Sequence, residues 1–265
     1  MKKRATWVNG VLDGGVPGDD LGLLRGLTVF DTWRTYGDHP FRLTQHLERF
    51  EASAAEMSIA LPSREEICAE VARASASFPK GADLQIRFTV TGGGARIVDV
   101  QILDEARIWG EVKVGKLRWD PPEWLPGVVK HGSRASWVLA AQRQHADEVL
   151  LVDSGGFILE ANRSNVFAVI DGVVRTPPLD RRCLEGVTRG ALVEAAIRSG
   201  IPIDQSPLPF ESPFDELYLS STLKELAPVV EVCGQPITGA GPVGRALLDA
   251  FRALVRSEIQ SRPSP

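Results

Sequence analysis

The sequence predicts an α/β protein of the α+β type in two domains. Three observations carry this: apolar residues recur at helical spacing in some segments, they alternate strictly in others, and a Pro-Pro interruption separates two such mixed halves. With 265 residues, 43% of them hydrophobic, the chain can bury a sizeable core in two modest domains or one large one. The opening TWVNGVLDG is an apolar run broken by Asn-Gly and Asp-Gly, the pattern of a β-hairpin whose turn needs positive φ. From Leu43, the spacing of Leu47, Phe50, Ala54 and Met57 predicts an amphipathic helix. Ser63 and Glu66 form an S-x-x-E capping box that opens a second helix, REEICAEVARASASF. In ADLQIRFTVTGGG the period changes to two, and RIVDVQIL alternates in the same way, so two strands pair across a glycine turn.

Between Lys113 and Leu125 the Pro-Pro pair of VGKLRWDPPEWL interrupts regular structure. This gives an N-terminal α+β domain at residues 1–114, a linker at 115–125 and a C-terminal α/β domain at 126–265. The second half reads as a short strand at Val128 and Val129 leading to Lys130 and then a helix, SWVLAAQRQHA. A meander of antiparallel strands follows from Glu148 to Leu179. A helix VTRGALVEAAIRSG closed by Gly200, a strand ELYLSS and a last helix GRALLDAFRALVRSEIQ complete it, ahead of a low-complexity SRPSP tail.

Composition narrows the function. The 30 basic and 34 acidic residues are interspersed with a net charge of -4, which argues against nucleic acid and for small molecules as partners. Cys68, Cys183 and Cys233 give neither a disulfide framework nor a metal knuckle, and His39, His46, His131 and His145 lack ligand spacing, so no metal is expected. The basic start MKKRATWVNG lacks an apolar signal core and no stretch approaches membrane-spanning length, so a cytoplasmic protein is expected. G-x-S-x-G, H-E-x-x-H, P-loop and G-x-G-x-x-G motifs are absent.

A few residues remain that could carry chemistry. Lys130, in PGVVKHGSRASW, stands outside any run of like charge; it is either a solvated surface charge or an amine held out of water for covalent work. Glu160 lies between apolar strand segments in ILEANRSNVF, where an ionised carboxylate needs a cationic partner or an ordinary salt bridge. LEGVTRGAL places Val187 and Thr188 at a helix start suited to a phosphate, and LSSTLKEL places Ser221 and Thr222 at a strand end; capping alone also accounts for either. Arg49 sits beside the apolar stripe of its helix, a position that ordinary solvation explains as well.

Taken in order along the chain, five blocks resemble the fold-type IV, or class IV aminotransferase, family of pyridoxal 5'-phosphate enzymes, which includes D-amino-acid and branched-chain transaminases and aminodeoxychorismate lyase. They are VFDTWRTYGDHPFRLTQHLERFEASA, VVKHGSRASWVLAAQ, ILEANRSNVF, RTPPLDRRCLEGVTR and LYLSSTLKELAPVVEV. The resemblance implies the two-domain fold type IV with the cofactor in the cleft between domains, and a homodimer. It implies that Lys130 forms the Schiff base and moves the proton between substrate Cα and cofactor C4′. Glu160 would face the pyridine nitrogen, and Arg49, Thr188 with the Val187 amide, and Thr222 would hold the phosphate with Ser221 nearby.

Departures from the family pattern bear on specificity. Phe30 stands where D-amino-acid transaminases have a tyrosine, and their Arg-x-His carboxylate trap is half kept, with Arg96 present and Val98 in place of the histidine. Phe30 and Arg96 are therefore the substrate-binding candidates. The Lys130-His131 pair is also seen in aminodeoxychorismate lyases, and the branched-chain enzymes' own lysine and substrate blocks are not recognisable. The expected activity is transfer of an amino group from an amino acid, a D-amino acid or a primary amine to a 2-keto acid. Release of pyruvate and 4-aminobenzoate from aminodeoxychorismate is the alternative.

Overall fold

The Asn-Gly turn takes the conformation its composition predicts: Asn9 and Gly10 have φ of 51° and 79° and join β1 (Arg4–Val8) to β2 (Val11–Leu12). Residues 3–261 are described by the computed structural model; the basic start at Met1 and Lys2 and the tail from Arg262 lie outside them. After the short helix α1 (Leu21–Arg25) come β3 (Thr28–Tyr36), β4 (His39–Pro40), α2 (Leu43–Glu56), α3 (Arg64–Ser75), β5 (Leu84–Thr91) and β6 (Arg96–Ile102). The strands form an antiparallel sheet in the order β2-β1-β6-β5-β3-β4. α2 and α3 cover one face, and Trp33, Leu47, Phe50, Ile67 and Phe88 form the core between them. Burial of one such side chain contributes about 1.5–3 kcal/mol.

α3 opens on the predicted capping box: the Glu66 N–H donates to Ser63 Oγ at 3.2 Å, and the Ser63 N–H donates to Glu66 Oε2 at 2.8 Å. Ser63→Ala is expected to lower unfolding free energy by about 1 kcal/mol, read as a shift of the urea midpoint with unchanged slope; an unchanged midpoint would show the cap to be dispensable.

The second half contains β7 (Val112–Arg118), α4 (Ala135–Arg143), β8 (Glu148–Val152), β9 (Phe157–Ala161), β10 (Asn165–Ile170) and β11 (Val173–Thr176). They are followed by α5 (Val187–Arg198), β12 (Ile203–Gln205), β13 (Leu208–Pro209), β14 (Glu216–Ser221), β15 (Glu225–Val232), β16 (Gln235–Pro236) and α6 (Pro242–Gln260). The main sheet runs β12-β11-β10-β14-β15-β7-β8-β9-β13, with β16 beside β15. Every residue of β8 and β10 is buried, as expected of strands covered on both faces.

Five expectations differ from the structure. The predicted linker at 115–125 begins inside β7, which lies between β15 and β8 and pairs parallel with both. The compact units divide at Asp104 and Glu105, so residues 105–114 go with the second half. Val129–Arg134, including Lys130, belongs to the first unit rather than to the C-terminal domain. The reason lies in the backbone: Lys130 N–H donates to Ser53 Oγ at 3.0 Å, Phe30 N–H donates to Lys130 C=O at 3.1 Å, and Gly132 N–H donates to Thr28 C=O at 3.0 Å. Val128 and Val129 accordingly form no strand, and only an isolated bridge joins Val29 to His131. Finally, the expected meander of antiparallel strands is two hairpins, β8-β9 and β10-β11, with β14, β15 and β7 between them in the sheet order.

Candidate functional site

In the first unit, β3 and α2 carry the candidate residues. Alternation along β3 sends Val29, Asp31 and Trp33 toward the core and Phe30 to the opposite face. Asp31 is fully buried, so its carboxylate needs cations. Arg49 Nε donates to Oδ2 and Arg49 Nη2 to Oδ1, both at 2.8 Å, and His46 Nδ1 lies 2.8 Å from Oδ1. His46 and Arg49 are three residues apart on α2, which puts both over the same strand residue. Burial pushes the Asp31 carboxyl up, but the Arg49 charge and the His46 contact reverse this and hold it well below the usual carboxylate range. Burial also outweighs Asp31 at His46 and lowers its pKa. A neutral imidazole beside an ionised carboxylate carries its proton on Nδ1, donated to Asp31.

One helical turn beyond Arg49, Ser53 accepts the Lys130 N–H. With the Phe30 N–H on the Lys130 carbonyl, both polar groups of the Lys130 main chain are held. The Lys130 Nζ lies 5.0 Å from the centroid of the Phe30 ring, whose other cationic neighbours are Arg87 Cζ at 3.5 Å and Arg134 Cζ at 5.1 Å. Lys130, Phe30 and Arg49 are thus joined through one set of contacts. Arg96 is engaged elsewhere: its Nε donates to Glu70 Oε1 on α3 at 2.7 Å, a carboxylate partner with which a substrate carboxylate would compete.

His131 is buried, and desolvation, followed by the Arg134 charge, pushes its pKa down to about 4. Its folded value lies below the ordinary 6.5, so the unfolded chain takes up the proton first as pH falls. Stability is expected to be fully present above about pH 6.5 and to decline toward pH 4, with a further loss below, where the unfolded chain takes up the Asp31 proton before the folded one does. Urea unfolding between pH 7 and pH 4 checks this. His131→Asn should flatten the upper part of the decline, and an equally steep profile in that variant would assign the dependence elsewhere.

In the second unit, Glu160 is buried on β9 and accepts the Leu184 N–H at 3.2 Å. The next loop carbonyl partner is local as well: Asn165 Nδ2 donates to Leu184 C=O at 2.8 Å, and Asn165 pairs across the sheet with Ser220. α5 begins at Val187 with Gly186 as N-cap and no side-chain cap, so its first N–H groups have no partner within the helix. A Cβ at Gly186 would run into Asn165 Oδ1, which keeps that position glycine and the helix start open. Thr188 is buried in the first turn of α5. Ser221 ends β14, and Thr222 lies in the hairpin turn to β15, closed by Lys224 N–H on Ser221 C=O at 3.2 Å. Ser220 Oγ is buried without a hydrogen-bond partner, an orphan donor on the strand carrying Ser221. Glu160, Val187, Thr188, Ser221 and Thr222 therefore share one region of the second unit.

Sequence reasoning missed Asp31, His46 and Ser53. Asp31 was findable by the argument applied to Glu160: an acid in the apolar strand TVFDTW needs a cation, and Arg49 stands three residues past a histidine on the next helix.

The profile of the amino-transferase class IV family matches residues 28–232, a span containing all nine predicted site residues from Phe30 to Thr222. A Methanocaldococcus jannaschii protein, provisionally assigned as a branched-chain-amino-acid aminotransferase, is 30% identical over 258 residues, 88% of each chain. The branched-chain amino acid aminotransferase from Escherichia coli shares the fold with a TM-score of 0.81 and 26% identity, over 96% of this chain and 95% of its own. An aminotransferase from Brucella abortus, solved bound to the cofactor PLP, has a TM-score of 0.82 at 18% identity, over 96% of this chain and 100% of its own. Branched-chain enzymes thus stand among the relatives, where the sequence reading leaned toward the D-amino-acid and lyase branch.

Proposed function

Because this chain belongs to the class IV aminotransferase family, we propose that it is a pyridoxal 5'-phosphate-dependent transaminase that moves an amino group from an amino acid to a 2-keto acid. The observation that carries the proposal is the setting of Lys130, whose main chain is held at both polar groups while its amine lies against the Phe30 ring. The donor set fits the cofactor: a buried carboxylate at Glu160, an uncapped helix start at Val187 and Thr188, and the orphan hydroxyl of Ser220 suit a protonated ring nitrogen and a phosphate.

In this reading Arg49, Thr188 with the Val187 amide, and Thr222 hold the phosphate, with Ser221 nearby. Glu160 keeps the pyridine nitrogen protonated. When bound, the cofactor supplies an electron sink for the pair released as the substrate Cα–H bond breaks. Lys130 Nζ takes that proton from Cα and returns a proton on the far side of the exchange, so one amine is both anchor and base. Phe30 lines the substrate side. Arg96 serves as a carboxylate ligand only by sharing its guanidinium with Glu70. The working form is a homodimer in the cytoplasm, where Cys68, Cys183 and Cys233 stay as free thiols.

The test is stoichiometric. Incubated with an amino acid alone, the holoenzyme should release about one equivalent of keto acid per active site and turn over only when a 2-keto acid is added. Branched-chain amino acids of both configurations, other D-amino acids and (R)-amines form the donor panel. Pyruvate and 4-aminobenzoate from aminodeoxychorismate, without stoichiometric keto acid from any donor, would replace the transaminase reading with the lyase.

A further inference from the structure

The geometry points to Asp31 as a positioning residue that orients the Arg49 guanidinium for an anionic group, with His46 fixing Asp31 in turn. The inference rests on the proposal that Arg49 holds the cofactor phosphate, and it concerns how that arginine is presented rather than whether it binds.

The contact between Asp31 and Arg49 is a fork-to-fork pair: Nε meets Oδ2 and Nη2 meets Oδ1, each at 2.8 Å. Two parallel hydrogen bonds fix the guanidinium plane as well as its position, which a single bond cannot do. The carboxylate itself has little freedom. Asp31 is fully buried, its Oδ1 also meets His46 Nδ1, and its Oδ1 accepts the Thr32 N–H at 2.6 Å. Of the five N–H bonds of a guanidinium, the two aimed at Asp31 leave the Nη1 edge directed away from it.

A counter-charge role makes the opposite prediction. If Asp31 only neutralised Arg49, removing its charge would raise the positive potential and tighten phosphate. If it orients Arg49, Asp31→Asn replaces one acceptor by an NH2 that faces a guanidinium N–H. The fork opens, and phosphate binding weakens.

The protein, stripped of cofactor, is titrated with pyridoxal 5'-phosphate and separately with pyridoxal, which lacks the phosphate; quenching of the six tryptophans reports binding. The phosphate preference is the ratio of the two Kd values. Asp31→Asn is expected to lower this preference roughly 10-fold, the size of one lost charge-assisted interaction, with pyridoxal affinity changed less than about 2-fold. Arg49→Ala should lower it at least as far, and the double variant no further, because the two residues act as one unit.

If Arg49→Ala keeps the preference, the phosphate reading of Arg49 fails. If Arg49→Ala lowers it but Asp31→Asn keeps or raises it, the inference about Asp31 is overturned. An equal loss of affinity for both ligands in Asp31→Asn would mark a merely structural residue and overturns it too. Should Asp31→Asn not fold, His46→Leu decides: removing the Nδ1 donor loosens Asp31, and the preference should drop about 3-fold. A wild-type ratio in that variant overturns the proposal.

Discussion

Lys130→Ala is expected to reduce turnover by roughly 10^4-fold or more while the protein stays folded. The loss is large because one nitrogen is assigned both the covalent anchor and the proton transfer, and among the described residues the other cations over Phe30, Arg87 and Arg134, are guanidiniums. The fold should persist because the contacts that hold this segment are made by the Lys130 main chain, to Ser53 and Phe30, and alanine keeps them. Stability should therefore move by less than about 1 kcal/mol. The paired measurement is single-turnover release of keto acid together with thermal unfolding. A variant that unfolds would assign Lys130 a structural role, and one that turns over at a tenth of the wild-type rate would remove it from the chemistry.

What was legible in the sequence depended on how local the cause was. The capping box at Ser63 and Glu66 and the alternation from Leu84 to Val90 involve neighbours within a few residues, and both occur where expected. β7 was hidden because the Pro-Pro pair just beyond it draws attention, while its own VKVG alternation is short. β15 carries Pro228, which argues against an interior strand; the strand tolerates it next to a register shift between Val229 and Glu231. The assignment of Lys130 to the first unit depends on Ser53 and Thr28, more than 70 residues earlier in the chain, so no pattern around Lys130 could reveal it. The candidate site residues stand out because their types suit a phosphate and a ring nitrogen. The residues that hold them, Asp31 above all, are visible only once a strand and a helix are brought together.

The hairpin turn bearing Thr222 makes the same point about dependence on distant partners, and it yields the largest expected effect on stability. Glu148, at the start of β8, is fully buried and pairs with Lys224 of that turn. The same carboxylate accepts Ser164 Oγ at 2.9 Å and the Arg163 N–H at 3.1 Å, from the turn that follows Glu160. At the far side of the hairpin Glu225 has φ of 58°, unfavourable for a residue with a side chain, and its carboxylate meets Arg252 Nε at 2.8 Å. One buried acid therefore fastens two turns, and a second fastens the strained end. Glu148→Ala leaves a lysine, a hydroxyl and an amide without their acceptor, and is expected to cost about 3 kcal/mol. That is the low end for breaking a buried pair, because Lys224 is 18% exposed and can turn toward water. Glu148→Gln keeps one acceptor oxygen, enough for Ser164 Oγ, but loses the charge and turns an NH2 toward the Arg163 N–H, so it should cost less than alanine, about 2 kcal/mol. Amide exchange at Thr222 and Lys224 should accelerate in both variants, more in alanine, while exchange in the β3–β5 pair stays unchanged. A loss under about 1 kcal/mol in Glu148→Ala, with protected turn amides, would mean that the strand pairing of β14 with β15 alone holds the turn.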